Sequence, residues 1–114
     1  MPADCLFCRI VAGEIPATIV HRDELVVAIR DISPRAPTHV LLMPVAHIAS
    51  AAELTEADGP LLGRLFHVAA EIARAERLDR GWRLVSNVGP AAGQSVDHLH
   101  VHLLGGRPMT WPPG

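Results

Sequence analysis

Three histidines alternate with aliphatic residues in His98-Leu99-His100-Val101-His102-Leu103-Leu104, and no other stretch constrains this chain so tightly. Successive side chains of a strand point to opposite faces. On a strand, the three imidazoles share one face, and Leu99, Val101 and Leu103 share the other. The aliphatic face anchors a core. The imidazole face is costly to bury without partners, so the run predicts a strand that packs on one side and does chemistry on the other. One histidine here would read as a satisfied structural residue. Three at a strict period of two read as a site.

Positions two apart on a strand lie about 6.6 Å apart, and positions four apart about 13 Å. Zn–N bonds are only about 2.0–2.1 Å long, so neighbouring histidines can share an ion and the outer pair hardly can. The three therefore divide their work, which suits an extended substrate such as a phosphate with its leaving group. The preceding loop, Gly89-Pro90-Ala91-Ala92-Gly93-Gln94-Ser95, fits that idea. Glycines let backbone N–H groups approach an anion, and the Ser95 hydroxyl can donate to an oxygen or a leaving atom. The loop is neither a Walker A nor a dinucleotide fingerprint. Alone, it reads as a hairpin connection.

The flanking sequence places this strand in an α+β fold. Asp4 is a helix N-cap candidate, with a short N-terminal helix over Cys5–Ala12 stopped by Gly13. Strands are expected at Thr18–Arg22, Leu25–Arg30, His39–Val45, Trp82–Asn87 and Asp97–Leu104. One long helix is expected from Glu56 to Leu78, opened by a Thr55/Asp58 capping box and ended before Gly81. Leu61, Leu65, Ala69 and Ile72 mark its apolar face, and Arg64, His67, Glu71 and Arg74 its polar one. Short turns between strands argue for a mostly antiparallel five-stranded sheet.

The chain has 114 residues, room for a single domain over 1–114. Hydrophobic residues make up 49% and charged residues 19%, which excludes a disordered chain and, at this size, favours a homodimer. No apolar run approaches the roughly 18 residues of a membrane span, and no secretory leader is evident. The net charge of −2 gives no bulk attraction to nucleic acid or membrane, so neither is an expected partner. A cytoplasmic location is expected. Seven histidines stand beside no tyrosine, and the two cysteines are Cys5 and Cys8. A Cys-x-x-Cys pair reads as half a metal site, a redox motif or two buried thiols. As further ligands His47 and His98, at one end of the sheet, are better placed than His21 or His67.

The run from His98 to Leu104 resembles the histidine-triad motif of the HIT superfamily. The tail Gly105-Gly106-Arg107-Pro108-Met109-Thr110-Trp111-Pro112-Pro113-Gly114 is similar to that of its Hint branch, the purine nucleoside phosphoramidases. The likeness continues through Asp31-Ile32-Ser33-Pro34, Ala36-Pro37-Thr38-His39 and Gly93-Gln94-Ser95-Val96. The resemblance implies a homodimeric hydrolase that binds a purine nucleoside monophosphate and cleaves phosphoramidates, with aminoacyl-adenylates as further substrates. His100 would be the nucleophile and would form a nucleotidyl-histidine. His102 and Ser95 would assist at the phosphate and leaving group, and His39 would orient or handle protons. Asn87, Gly93 and Gln94 would lie at the phosphate, Asp31 at the ribose, and Phe7, Ile10 and Ile32 around the base. Trp111 would border the partner subunit's site.

The chain resembles the many bacterial Hint-like proteins that begin with this Cys-x-x-Cys and carry a structural zinc, and that resemblance implies Cys5, Cys8, His47 and His98 as ligands. No organic cofactor is expected. Asp97 departs from the aromatic residue common in the family, and as a strand neighbour of the histidines it is expected on the opposite face. Two other readings stand beside the phosphoramidase. One is a nucleotide-binding partner protein with vestigial hydrolysis. The other is a different hydrolase, acting on dinucleoside polyphosphates or through a zinc-bound water.

Overall fold

The computed structural model describes residues 4–114. Helix α1 (Leu6–Val11) is followed by strands β1 (Ile19–Arg22), β2 (Val26–Arg30) and β3 (Thr38–Pro44). Helix α2 (Gly59–Ala75) leads to β4 (Trp82–Val85) and β5 (Val101–Gly105). The five strands form one antiparallel sheet in the order β1-β2-β3-β5-β4, as expected.

Each face of the sheet carries its own core. On one, Leu65, Val68, Ala69, Ile72 and Ala73 of α2 pack on Val26, Ala28, Val40, Leu42, Val101 and Leu103. On the other, Phe7, Cys8, Ile10 and Val11 of α1 cover Val27, Ile29, Leu41 and Met43. Val101 and Leu103 thus face the long helix, and His102, opposite Leu41 in the ladder, faces the other way.

Several boundaries differ from the sequence expectation. The fifth strand begins at Val101, not Asp97. The ladder with β3 stops at the Leu42–Val101 pair, and the Leu99 N–H donates instead to the Ile48 carbonyl at 2.6 Å. His98 and His100 therefore precede the strand. Helix α2 is shorter than expected at both ends. A short 3-10 turn (Glu56–Asp58) comes first, with the Thr55 N–H donating to the Asp58 carboxylate at 2.8 Å. At the far end Arg77, not a glycine, takes the left-handed conformation (φ 58°). The Arg77 N–H then bonds to the Arg74 carbonyl and the Leu78 N–H to the Ala73 carbonyl, which closes the helix and folds Leu78 back into the core. Helix α1 is capped by Cys5 and not by Asp4, since the Cys5 sulfur accepts from the Cys8 N–H at 3.3 Å. Gly13 stops it as expected, at φ 79°.

Candidate active site and metal cluster

His98 is fully buried where α1, the end of β3 and the start of the histidine run meet. Its Nε2 donates to the Pro44 carbonyl at 2.8 Å, which leaves Nδ1 as a bare lone pair. That nitrogen lies 3.4 Å from Cys5 Sγ, 3.5 Å from Cys8 Sγ and 3.3 Å from His47 Nδ1. His47 Nδ1 is in turn 3.3 Å from Cys8 Sγ. With Zn–S near 2.3 Å and Zn–N near 2.0–2.1 Å, a tetrahedron has S···N edges of about 3.5 Å and N···N edges of about 3.4 Å. The donor set and the observed edges fit a four-coordinate zinc, with every position supplied by protein. Burial, and then the hydrogen bond to Cys5, pushes the Cys8 thiol up to about 11. A cation would reverse that shift by binding the thiolate.

The same backbone that holds His98 also sets His100. His100 Nδ1 donates to the His98 carbonyl at 2.7 Å, so the neutral ring keeps its proton there and Nε2 is unprotonated. Phe7 fixes the ring edge-on, with centroids 5.0 Å apart. His102 follows on the same side, its centroid 5.2 Å from that of His100.

A second hydrogen-bond chain assigns the His102 proton. The Arg35 N–H donates to His39 Nδ1 at 3.0 Å, so the His39 proton resides on Nε2. That group donates to His102 Nδ1 at 2.9 Å, which leaves His102 with its proton on Nε2. Asp31 Oδ2 stands 3.4 Å from His39 Nε2 as a flanking acceptor. Burial pushes His39, His98 and His102 below the ordinary imidazole value of 6.5. For His102 the neighbouring His100 and His39 add to the effect. These three rings are neutral at pH 7. The arrangement therefore offers one bare imidazole nitrogen beside one N–H donor.

The other expected residues fall in different settings. Ser95 is exposed and lines a cavity of about 410 Å³ with Asp4, Cys5, His47 and Asp97. Asp97 corrects the expectation: outside the strand it does not alternate to the far face, and it shares that cavity with Ser95. Gln94 spends its amide on the loop, accepting from the Gly89 N–H at 2.9 Å and donating to the Ala49 and Val96 carbonyls at 2.9 and 3.0 Å. Gly93 takes φ 92° and Asn87 is half-buried. Asp31 accepts from the Ser33 N–H at 2.8 Å, an Asx turn. Phe7 and Ile10 are in the core under α1, whereas Ile32 and Trp111 are 98% and 82% exposed.

His21 pairs with Asp23 at 2.6 Å and His67 with Glu71 on the surface of α2, so neither joins the cluster. Sequence reasoning missed the carbonyls of Pro44 and His98 and the amide of Arg35. These are main-chain atoms, for which no residue type is a signal.

Residues 12–109 match the HIT domain family. The chain is 49% identical over 111 residues to a 14 kDa zinc-binding protein of Zea mays, covering 96% of this chain and 87% of that one. It is 45% identical over 111 residues to the adenylylsulfatase HINT1 of Arabidopsis thaliana, covering 96% and 76%. Among solved structures, a HIT family hydrolase from Legionella pneumophila superposes with a TM-score of 0.96 at 52% identity, covering 97% of this chain and 100% of the other. The histidine run, the antiparallel sheet and these matches agree: the chain belongs to the HIT family.

Proposed function

We propose that this protein is a nucleotide hydrolase that cleaves purine nucleoside 5'-phosphoramidates through a covalent histidine intermediate. The observation that carries the reading is the His100 tautomer, with Nδ1–H given to the His98 carbonyl and Nε2 left bare. A neutral imidazole is a competent nucleophile at pH 7. His100 Nε2 attacks the α-phosphorus, the P–N bond breaks with its electron pair going to nitrogen, and that nitrogen takes a proton from solvent and leaves as the amine. Water then attacks the same phosphorus, the His100–phosphorus bond breaks, and the nucleoside monophosphate is released. His102 donates its Nε2 proton toward the phosphoryl oxygens as charge builds. Ser95 lies at the leaving-group side, Gly93 and Asn87 approach the phosphate, and Asp31 holds the ribose. The relationship to a HIT family hydrolase and to an adenylylsulfatase supports nucleotidyl transfer to water.

Cys5, Cys8, His47 and His98 would hold a structural zinc, and the likeness to a 14 kDa zinc-binding protein supports it. When bound, such an ion pins the segment that carries His100 and supplies no open coordination position. No helix among the described residues is long and apolar enough to cross a membrane. We assign the chain as one domain over 1–114, working in the cytoplasm as a homodimer with Trp111 reaching the partner's site.

Steady-state turnover of a fluorogenic adenosine phosphoramidate tests this reading in the wild type, His100→Ala and Cys5→Ala proteins. The expected result is turnover lost in His100→Ala and retained in a folded Cys5→Ala protein. A wild type that binds adenosine monophosphate and turns nothing over would instead identify a binding module.

A further inference from the structure

Cys5 and Cys8 are the only cysteines of the chain, and neither is in a disulfide. Cys5 stands just outside helix α1 in extended backbone (φ −81°, ψ 113°), and Cys8 lies in its first turn. The Cys5 sulfur folds over that turn to accept the Cys8 N–H at 3.3 Å. The two sulfurs lie within 4.8 Å of each other. Because the backbone of Cys5 is free of the helix, rotation of the two side chains can join the sulfurs without unwinding α1.

The sulfurs differ in access. Cys8 is 2% exposed, whereas Cys5 lines the cavity of about 410 Å³ that it shares with exposed Ser95 and Asp97. On the reading proposed above, substrate reaches Ser95 from this side, so the cavity stays reachable in the homodimer. A small oxidant therefore meets Cys5 first, and Cys8 answers from within the fold.

The nucleophile toward an oxidant is the thiolate and not the thiol. A zinc on Cys5, Cys8, His47 and His98 would hold both sulfurs as thiolates, which keeps the pair ready for oxidation. The same sulfurs are half of the donor set, and a sulfur tied in a disulfide is no longer a thiolate ligand. Two imidazoles would remain, too few to retain an ion in a site closed by four protein donors. Oxidation and metal retention therefore exclude each other.

We propose that Cys5 and Cys8 form a reversible oxidation site that exchanges a bound zinc for a disulfide when a hydroperoxide reaches Cys5. The Cys5 thiolate attacks the terminal oxygen of the peroxide. An S–O bond forms, the O–O bond breaks, and the departing oxygen takes a proton from solvent. The Cys8 thiolate then attacks the Cys5 sulfur. The S–S bond forms, the S–O bond breaks, and hydroxide leaves with a second solvent proton as water. Two electrons pass from the sulfurs to the peroxide, and no thiolate is left to hold the metal. A small dithiol returns the two electrons by thiol–disulfide exchange. The inference rests on the zinc reading above and needs no turnover of nucleotide.

The full chain, loaded with zinc, is titrated with hydrogen peroxide while a chromogenic chelator reports free zinc and intact mass reports the sulfurs. The expected result is one zinc released per chain, only when peroxide is present, at the rate at which the chain loses the mass of two hydrogens. Dithiothreitol with added zinc restores both starting values. Cys8→Ser cannot close the disulfide, so dimedone, a sulfenic-acid trap, labels it at Cys5. Cys5→Ser is labelled at Cys8 about tenfold more slowly, because reactivity follows exposure. Where either variant does not fold, the stoichiometry in the wild type decides. Zinc released without the loss of two hydrogens, a disulfide that joins two chains, or faster labelling of Cys8 would overturn the proposal. A chain that binds no zinc would overturn the metal reading and this proposal together. A loaded chain that keeps its zinc after peroxide has oxidised its methionines would overturn this proposal alone.

Discussion

His98 joins two pieces of chemistry to each other: its ring Nδ1 faces the two cysteine sulfurs and His47, while its carbonyl oxygen accepts the Nδ1–H of His100 at 2.7 Å. The orientation of the candidate nucleophile therefore depends on a main-chain atom whose place is set by a buried side-chain cluster.

Metal removal follows from that linkage. The purified protein is expected to hold one zinc per chain by elemental analysis, and Cys8→Ser to hold less. Chelation is expected to lower the melting temperature, because a ligand bound only by the folded state adds its binding free energy to stability. An unchanged melting temperature with one zinc lost would remove the structural role.

The proton chain from Arg35 through His39 to His102 gives a second expectation. His39→Ala removes the acceptor for the Arg35 N–H and frees the His102 tautomer. Losing one neutral hydrogen bond of about 1–1.5 kcal/mol should lower kcat/KM about tenfold. His102→Ala removes the donor itself and should cost about 10²–10³ in kcat. Equal effects of the two variants would contradict the ordering of roles.

Acidity should act on the same pair. Burial holds His39 and His102 below 6.5 in the folded state, so the unfolded chain takes up these protons first. Their contribution to stability is complete above pH 6.5 and declines as pH falls from 6.5 toward the lowered folded values. His39→Ala should flatten the slope of denaturant-derived stability against pH below 6.5.

Asp23 supplies a signal of opposite origin. Burial alone would raise its carboxyl, but hydrogen bonds from His21, the Leu25 and Val26 amides and Arg64 outweigh this and hold it well below the carboxylate range. Its contribution is present above the ordinary carboxylate value of 3.8 and is lost as pH falls below it. Asp23→Asn should destabilise the fold at neutral pH by about 1–3 kcal/mol, and by progressively less as pH falls below 3.8, as chemical denaturation would show.

Much of this was legible in the sequence, and the failures have physical reasons. Alternation placed Val101 and Leu103 in the core and His102 on the other face, because a packed strand must alternate. The strand itself was expected to start too early, because ahead of Val101 the Leu99 N–H turns to the Ile48 carbonyl, and Pro44, opposite it by register, has no N–H to give. Asp97 consequently sits beside Ser95 and not across the sheet. The Cys5, Cys8, His47 and His98 cluster was visible as residue types, and the resemblance supplied the grouping. The tautomers of His98, His100 and His102 were not, since carbonyls and an amide assign them.

Covalent capture tests the central claim most directly. Rapid quenching of a turning-over reaction in base, followed by intact-mass and peptide analysis, should find one nucleotidyl group on the peptide containing His100, and none in His100→Ala. Turnover without a protein-bound nucleotide, or labelling that survives in His100→Ala, would contradict it.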